Sequence, residues 1–170
     1  VLMPSLTLVR QTLDEWATQS ATEFRFLVVC SDETTVEMKD GWVASVAEMG
    51  LPVTTDVGEI RKFLAGSGLR IIFSTYQSSP RIAEAFDGHM NPFDLVIADE
   101  AHRCAGKPIG AFATALDEIQ IPSARRLFMT ATPRILSGRL KSRSLTDDLE
   151  LTSMDDETVF GPVLYEMSFR

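Results

Sequence analysis

The sequence predicts an α/β fold of three layers, in which helices cover both faces of a parallel sheet. Short apolar runs bounded by turn residues alternate with segments of helical periodicity along the 170 residues. The apolar runs are nearly continuous rather than alternating, as is typical of strands buried on both faces. With 45% hydrophobic residues, the chain can bury one sizeable core. We therefore expect a single domain over residues 1–170.

The apolar runs predict six strands. They are Val1 to Met3, Arg25 to Cys30, Val53 to Thr54, Arg70 to Phe73, Asp94 to Ala98, and Arg126 to Met129. The first run has no turn before it, which suggests a chain cut from something longer. The tail from Val159 to Phe169 returns to an apolar pattern and predicts a last strand.

Capping signals predict where three of the helices begin, and a charged segment predicts a loop. The signals are Ser5 before the periodic positions Leu6, Val9 and Leu13, Asp56 with Glu59, and Ser79 with Pro80. Residues 136–157 carry many charges and few large apolar side chains, which predicts an exposed, mobile loop. A solvated linker is the simpler interpretation of such a charge block, ahead of a dedicated binding element.

Composition narrows the function classes. The 24 acidic and 16 basic residues give a net charge of −8, the opposite of what bulk attraction to nucleic acid requires, so any such contact must be local. The two cysteines have no paired spacing, which argues against a disulfide framework and a zinc module. No apolar run approaches the roughly 20 residues that span a bilayer. We expect a cytoplasmic protein without a membrane partner.

Two adjacent carboxylates follow the fifth predicted strand. Asp99 and Glu100 come directly after the apolar run Leu95 to Ala98. In open α/β sheets, ligands bind at the carboxyl ends of the strands. One carboxylate there can hold a magnesium ion through water while the other orients and deprotonates an attacking water. An isolated Asp-Glu pair is more often a strand or helix cap, so its context must decide.

Two motifs in the right order supply that context. Asp99-Glu100-Ala101-His102 resembles motif II of the DEAD/DEAH-box helicases, a superfamily 2 group with RecA-like motor domains. The next strand ends in Thr130-Ala131-Thr132, which resembles motif III of the same group. The resemblance implies ATP and Mg²⁺ as cofactors, Asp99 as the magnesium residue and Glu100 as the residue that activates water. It also implies that His102, Thr130 and Thr132 couple the state of ATP to the grip on DNA.

Two further segments resemble nucleic-acid-contacting motifs of that superfamily. Met3 to Gln11 resembles motif Ia, and Phe73 to Ser78 resembles motif Ic of restriction-type translocases. The resemblance implies contacts to DNA backbone phosphates, which fix register without reading sequence. For Ser5 and Thr75, helix capping is an equally good interpretation. The implied residues are Ser5, Arg10, Gln11, Ser74, Thr75 and Gln77.

The sequences of these motifs most resemble those in the helicase domain of bacterial type I and type III restriction enzymes. This resemblance implies a bacterial translocase that acts on duplex DNA. A Gly-x-x-x-x-Gly-Lys-Ser/Thr phosphate loop is absent from the 170 residues, and Gly66-Ser67-Gly68 lacks the lysine that would follow. We therefore expect a fragment that lacks its phosphate-loop unit and a second RecA-like domain, binds ATP weakly or not at all, and is inactive alone.

Two alternatives stay open. One is a non-catalytic relative that serves as a nucleic-acid-binding or scaffold module, and residues upstream of Val1 would discriminate between it and a motor. The other is a metal-dependent hydrolase unrelated to helicases, which would need more ligands than Asp99, Glu100 and His102 provide. The oligomeric state is not predicted by the sequence.

Overall fold

The computed structural model describes residues 1–31, 53–86, 90–106, 111–137 and 151–167. Its helices and strands are β1 (Leu2–Met3), α1 (Leu6–Gln19), β2 (Arg25–Val29), β3 (Val53–Thr54), α2 (Val57–Leu64), β4 (Arg70–Thr75), α3 (Ser79–Ala85), β5 (Val96–Ala98), α4 (Ala111–Leu116), β6 (Arg126–Phe128) and α5 (Glu157–Phe160). Short 3-10 turns follow β4 at Tyr76–Ser78 and β5 at Ala101–Cys104.

The strands form one six-stranded sheet in the order β3-β2-β4-β1-β5-β6. Every pair of neighbouring strands runs parallel. The carboxyl ends therefore meet at one edge, which we call the carboxyl rim: it consists of the turns that begin at Pro4, Tyr76, Asp99 and Met129. All six strands predicted between Val1 and Met129 are confirmed, with ends shifted by no more than two residues.

Helices cover both faces of the sheet, as the sequence predicts. On one face, Met3, Val28 and Phe73 pack with Leu6 and Val9 of α1. Both tryptophans, Trp16 and Trp42, fall in helical patterns, which predicts packing rather than base stacking. The ring of Trp16 meets the ring of Phe73 edge-on, with 5.6 Å between centroids, which confirms the prediction for Trp16. Trp42 lies outside the described residues.

The opposite face is covered by α2, α3 and α4. Leu2, Val29 and Ile72 point to this side and pack with a second group of buried side chains. Successive strand residues point to opposite faces, so each strand contributes to both layers. The helical side chains buried here include Ile60, Ile82 and Ala115.

Two of the three predicted caps are confirmed. The Ser5 hydroxyl accepts the Leu8 backbone N–H at 3.4 Å, and the Asp56 carboxylate accepts the Glu59 N–H at 2.8 Å. The third prediction is wrong, because Ser79 is the first helical residue of α3 and not its cap. Its buried hydroxyl instead donates to the Ala111 carbonyl at 3.1 Å and so ties α3 to α4.

The prediction of a last strand from Val159 to Phe169 is wrong for the residues that the structure describes. Asp156 caps the short helix α5 by accepting the Thr158 N–H at 3.0 Å, and the helix ends at Gly161, whose φ is +73°. A positive φ suits glycine and stops both a helix and a strand. Phe160 packs on Phe128 of β6, at 5.0 Å between ring centroids.

The predicted loop over residues 136–157 is only partly described, since residues 138–150 lie outside the described ranges. Asp155, Asp156 and Glu157 are exposed as predicted, but Leu151 to Met154 are not. Ser153 is buried, and its hydroxyl accepts the Leu136 N–H at 2.9 Å. Within the described ranges, no helix combines the length and the apolar character needed to cross a membrane.

Arginines at the start of two strands donate hydrogen bonds to carbonyls at the ends of the preceding helices. The Arg70 guanidinium donates to the Phe63 and Leu64 carbonyls at the end of α2. The Arg126 guanidinium donates to the carbonyls of Ala115 and Asp117 beside the end of α4, and to that of Ile121. The last carbonyls of a helix lack intrahelical partners. A positively charged donor there satisfies their hydrogen bonds and interacts favourably with the negative end of the helix dipole.

We predict that Arg126→Met lowers the free energy of unfolding by about 2 kcal/mol, because buried carbonyls lose a charged donor. Chemical denaturation followed by circular dichroism measures this change. The neighbouring side chain of Arg125 is exposed, so Arg125→Met is the matched control and should change stability by less than about 0.5 kcal/mol. Equal losses in the two variants would show that the carbonyl contacts do not stabilise the fold.

Candidate functional site

The turns after β5 and β6 lie side by side at the carboxyl rim. The Met129 N–H donates to the Ala98 carbonyl at 2.9 Å, and the Ala101 N–H donates to the Met129 carbonyl at 2.9 Å. The β5–β6 ladder therefore continues past the last strand residues into both turns. The order of the two motifs after the fifth and sixth predicted strands predicts that the acidic pair and the threonine pair meet at one rim, and these hydrogen bonds confirm it.

His102 connects the two turns through a single ring nitrogen. Its Nδ1 lies 3.0 Å from Thr130 Oγ1 and 3.2 Å from Glu100 Oε2. A proton on Nδ1 would be shared by these two oxygens. The hydroxyl of Thr130 also accepts the Thr132 N–H at 3.1 Å. The side chain that reaches His102 is therefore that of Thr130, while Thr132 is exposed and contributes its backbone.

Glu100 has a left-handed backbone, with φ 52° and ψ 43°. It is the only residue other than glycine with a positive φ in the described part of the chain. This conformation costs a non-glycine residue about 1–2 kcal/mol. The bend it produces starts the turn Ala101–Cys104 and brings the carboxylate of Glu100 to His102 at the carboxyl rim. Strain of this kind concentrates at sites of function.

Asp99 lies at the start of the same turn, half-buried. Burial raises the pKa of its carboxyl group, the Glu100 N–H hydrogen bond opposes that rise, and the nearby Glu100 charge adds to it. No Lys or Arg side chain of the described residues forms an ion pair with Asp99. Two adjacent carboxylates without a cation partner suit Mg²⁺, which typically binds one or two carboxylates and completes its shell with water and phosphate oxygens.

A larger protein ligand set is absent from the described ranges, where no group of three or more His, Cys, Asp or Glu could hold a metal. The two adjacent carboxylates fit a magnesium ion that keeps most of its water ligands.

The turn after β1 presents part of the predicted DNA-contacting set. Ser5 is half-buried, and its hydroxyl caps α1, so only its outer side faces the rim. Gln11 is exposed on the second turn of α1. The Arg10 guanidinium pairs with the Asp14 carboxylate of the same helix at 2.7 Å. Since β1 pairs with both β4 and β5, this turn lies between the other two.

At the end of β4, the structure corrects the prediction that two side chains contact DNA. Ser74 and Thr75 are fully buried. The Ser74 hydroxyl donates to the Val29 carbonyl at 2.9 Å, and the Thr75 hydroxyl donates to Ser78 at 3.2 Å. Their hydroxyls are therefore used inside the fold and do not face a phosphate. Gln77 is exposed and remains the polar side chain that this turn offers.

The segment Leu151 to Met154 joins the ends of both motifs, and the sequence gives no signal for it. Thr152 exchanges backbone hydrogen bonds with Gly106, each 2.7 Å long, and its hydroxyl donates to the Cys104 carbonyl at 3.0 Å. The Met154 N–H donates to the Arg134 carbonyl at 3.1 Å. The contacts span tens of residues and use backbone atoms, so no local pattern records them.

Other features lie away from this site. His89, predicted to be a surface residue in a turn, lies outside the described residues. A cavity of about 680 Å³ opens at the opposite end of the sheet, beside Arg70 and Asp94, which begin their strand regions there. None of the predicted site residues lines it. The cavity is therefore separate from the candidate site at the carboxyl rim.

We predict that Glu100→Gly is more stable than Glu100→Ala by about 1 kcal/mol, because only glycine adopts this backbone without a Cβ penalty. Thermal unfolding of the two variants measures the difference. The exposed Glu15 in the middle of α1 is the matched control, where glycine should be less stable than alanine by about 1 kcal/mol. The same sign of difference at both positions would show that position 100 is not left-handed in solution.

Comparison with known proteins shows which family this chain matches. Residues 1–135 match the family described as "Type III restriction enzyme, res subunit". A probable helicase of African swine fever virus is 31% identical over 170 residues, which cover 99% of this chain and 16% of that protein. The chain thus spans less than a fifth of the length of the curated relatives that it matches.

Two solved structures resemble the fold. The ATP-dependent Type ISP restriction-modification enzyme LlaBIII bound to DNA has a TM-score of 0.72 and 30% identity, over 98% of this chain and 11% of that one. A nuclease-deletion mutant of the Type ISP enzyme LlaGI, in complex with a DNA substrate mimic, has a TM-score of 0.68 and 29% identity, over 96% and 12%. The sheet order and helix layers are accordingly those of a RecA-like domain. The chain belongs to the family of the type III restriction enzyme res subunit, as a superfamily 2 helicase motor domain.

Proposed function

We propose that this domain is part of an ATP-dependent DNA translocase, in which Asp99 and Glu100 serve ATP hydrolysis and the carboxyl rim contacts DNA. The observation that carries the proposal is the joining of the two turns by His102, whose Nδ1 lies within 3.2 Å of both Glu100 and Thr130. Glu100 of the proposed hydrolysis site and Thr130 of the neighbouring turn thus contact the same histidine. That arrangement suits a site whose state must be passed on to a second ligand.

The proposed chemistry uses Glu100 as the general base. Its carboxylate orients a water molecule and takes a proton as the water oxygen attacks the γ-phosphorus of ATP. The bond from the γ-phosphorus to the bridging oxygen breaks, and the electron pair leaves with ADP. Because His102 contacts Glu100 Oε2, the histidine helps to fix the direction of the carboxylate. The left-handed backbone of Glu100 contributes to the same alignment.

Asp99 would hold the magnesium ion, in keeping with its half-buried carboxylate and the absence of an arginine or lysine partner among the described residues. When bound, the ion neutralises charge on the β- and γ-phosphates. The Asp99 N–H donates to the Leu2 carbonyl at 2.9 Å, so the central strand β1 fixes the position of this residue.

The proposed DNA contacts use neutral donors along the rim. Gln77 is exposed in the turn after β4, Ser5 is half-exposed in the turn after β1, and Gln11 is exposed on the second turn of α1. Neutral side chains and backbone N–H groups can bind phosphates without reading sequence, which reconciles DNA binding with a net charge of −8. Two similar structures are described as bound to DNA or to a DNA substrate mimic, which supports DNA as the partner.

Movement would come from closing against a second RecA-like domain, which the proposal assigns to the full-length protein. In that cycle, a movement of the Glu100 carboxylate is transmitted to Thr130 through His102, because the hydroxyl and the carboxylate contact the same ring nitrogen. Thr132 holds Thr130 in place through its backbone N–H. We also propose that the full-length protein is bacterial and cytoplasmic.

We predict that Glu100→Gln in the full-length protein lowers the kcat of ATP hydrolysis by about 10²- to 10⁴-fold, because glutamine cannot accept the proton. Steady-state phosphate release with and without duplex DNA measures this. Glu118→Gln changes an exposed carboxylate away from the rim and should leave kcat within about twofold. Unchanged hydrolysis in Glu100→Gln would contradict the proposed role of the acidic pair.

A further inference from the structure

We propose that Tyr76 is a positioning residue that holds the backbone of Asp99 and joins it to the turn after β4. Its importance for hydrolysis rests on the proposed function, whereas its effect on the Asp99 backbone does not. Tyr76 is the first residue after β4, is fully buried, and starts the turn Tyr76–Ser78. It lies within the segment Phe73 to Ser78 that resembles motif Ic, but it is not one of the residues for which that resemblance implies a DNA contact.

The contact that carries the inference is a hydrogen bond to the main chain. The Tyr76 phenol O–H donates to the Asp99 carbonyl oxygen at 2.8 Å, a good distance for a hydroxyl donor. The β5 strand has ended at Ala98, one residue earlier. The Asp99 N–H is held on the other side by the Leu2 carbonyl at 2.9 Å. Both polar groups of this peptide segment are thus fixed, one by β1 and one by a side chain.

The surroundings of Tyr76 keep this hydroxyl in place. Its ring packs against Phe112 of α4, with 4.9 Å between centroids and 32° between planes. Burial raises the pKa of the phenol, so the hydroxyl stays protonated and able to donate. The buried thiol of Cys104, in the turn Ala101–Cys104, adds to this rise in the pKa of Tyr76. A tyrosine buried this fully normally satisfies its hydroxyl, and here it does so at the candidate site.

The same residue links two parts of the carboxyl rim. Its backbone lies next to Gln77, the exposed polar residue of the turn after β4. Its side chain ends at Asp99, the proposed magnesium residue. A shift of the turn after β4 therefore moves the donor that holds Asp99. This is a direct physical connection between a surface proposed to contact DNA and the proposed hydrolysis site.

Tyr76→Phe removes the hydroxyl and keeps the ring, so it separates positioning from packing. We predict that amide hydrogen exchange of the peptide covering residues 96–104 becomes about tenfold faster in the full-length protein, because one buried hydrogen bond is lost. Phe112→Leu is the control: it disturbs the ring packing and retains the hydroxyl, and should leave exchange in this peptide within about twofold.

The functional consequence is a shift in the magnesium dependence of ATP hydrolysis. In Tyr76→Phe, the Mg²⁺ concentration for half-maximal rate should rise about fivefold, with kcat at saturating Mg²⁺ within about twofold of the unmodified protein. A purely structural role would lower kcat or thermal stability without moving half-saturation. Phe112→Leu should retain the original magnesium dependence.

The two readouts separate this inference from the proposed function. Unchanged exchange in Tyr76→Phe, or equal increases in both variants, would overturn the positioning role. Faster exchange only in Tyr76→Phe, in a protein that shows no ATP hydrolysis, would retain the positioning role and reject the proposed function. Faster exchange with an unchanged magnesium half-saturation in an active enzyme would overturn the link from Tyr76 to the metal residue.

Discussion

The candidate site depends on the parallel pairing of β5 with β6. The register sets Ala98 opposite Phe128, so the acidic turn and the threonine turn leave the sheet at the same level. Two backbone hydrogen bonds through Met129 extend this pairing into the turns. Only with that spacing can His102 bring its Nδ1 within 3.0 Å of Thr130 Oγ1. A one-residue slip would reverse the faces of β6 and separate the two turns.

The backbone around the acidic pair is held by elements from several parts of the chain. Asp99 is fixed by β1 and by Tyr76, and the end of the motif II turn is fixed by Thr152. These contacts offset the strained conformation of Glu100, which an isolated turn would relax. The side chains of Asp99 and Glu100 remain partly accessible as a result. A main chain held in this way beneath the proposed hydrolysis residues is what pre-organised catalysis requires.

The strands and the main helices could be predicted because their signals are local. Each strand is a short apolar run, and the caps at Ser5 and Asp56 precede clear periodicity. The last strand was predicted wrongly because the Asp156 cap and Gly161 outweigh the apolar residues around them. At the site, residue types and order indicated Asp99, Glu100, His102 and Thr130. The burial of Ser74 and Thr75 and the role of Tyr76 depend on contacts with distant segments, and no local pattern encodes them.

The most direct test of the account is a double-mutant cycle between the two turns in the full-length protein. His102→Ala, Thr130→Ala and the double variant would be compared by kcat/KM for DNA-stimulated ATP hydrolysis. Because the two side chains share one hydrogen bond, we predict a coupling free energy of about 1 kcal/mol, with the double variant less impaired than the sum of the single variants. Additive effects, within about 0.3 kcal/mol, would contradict the claim that these two turns act as one site.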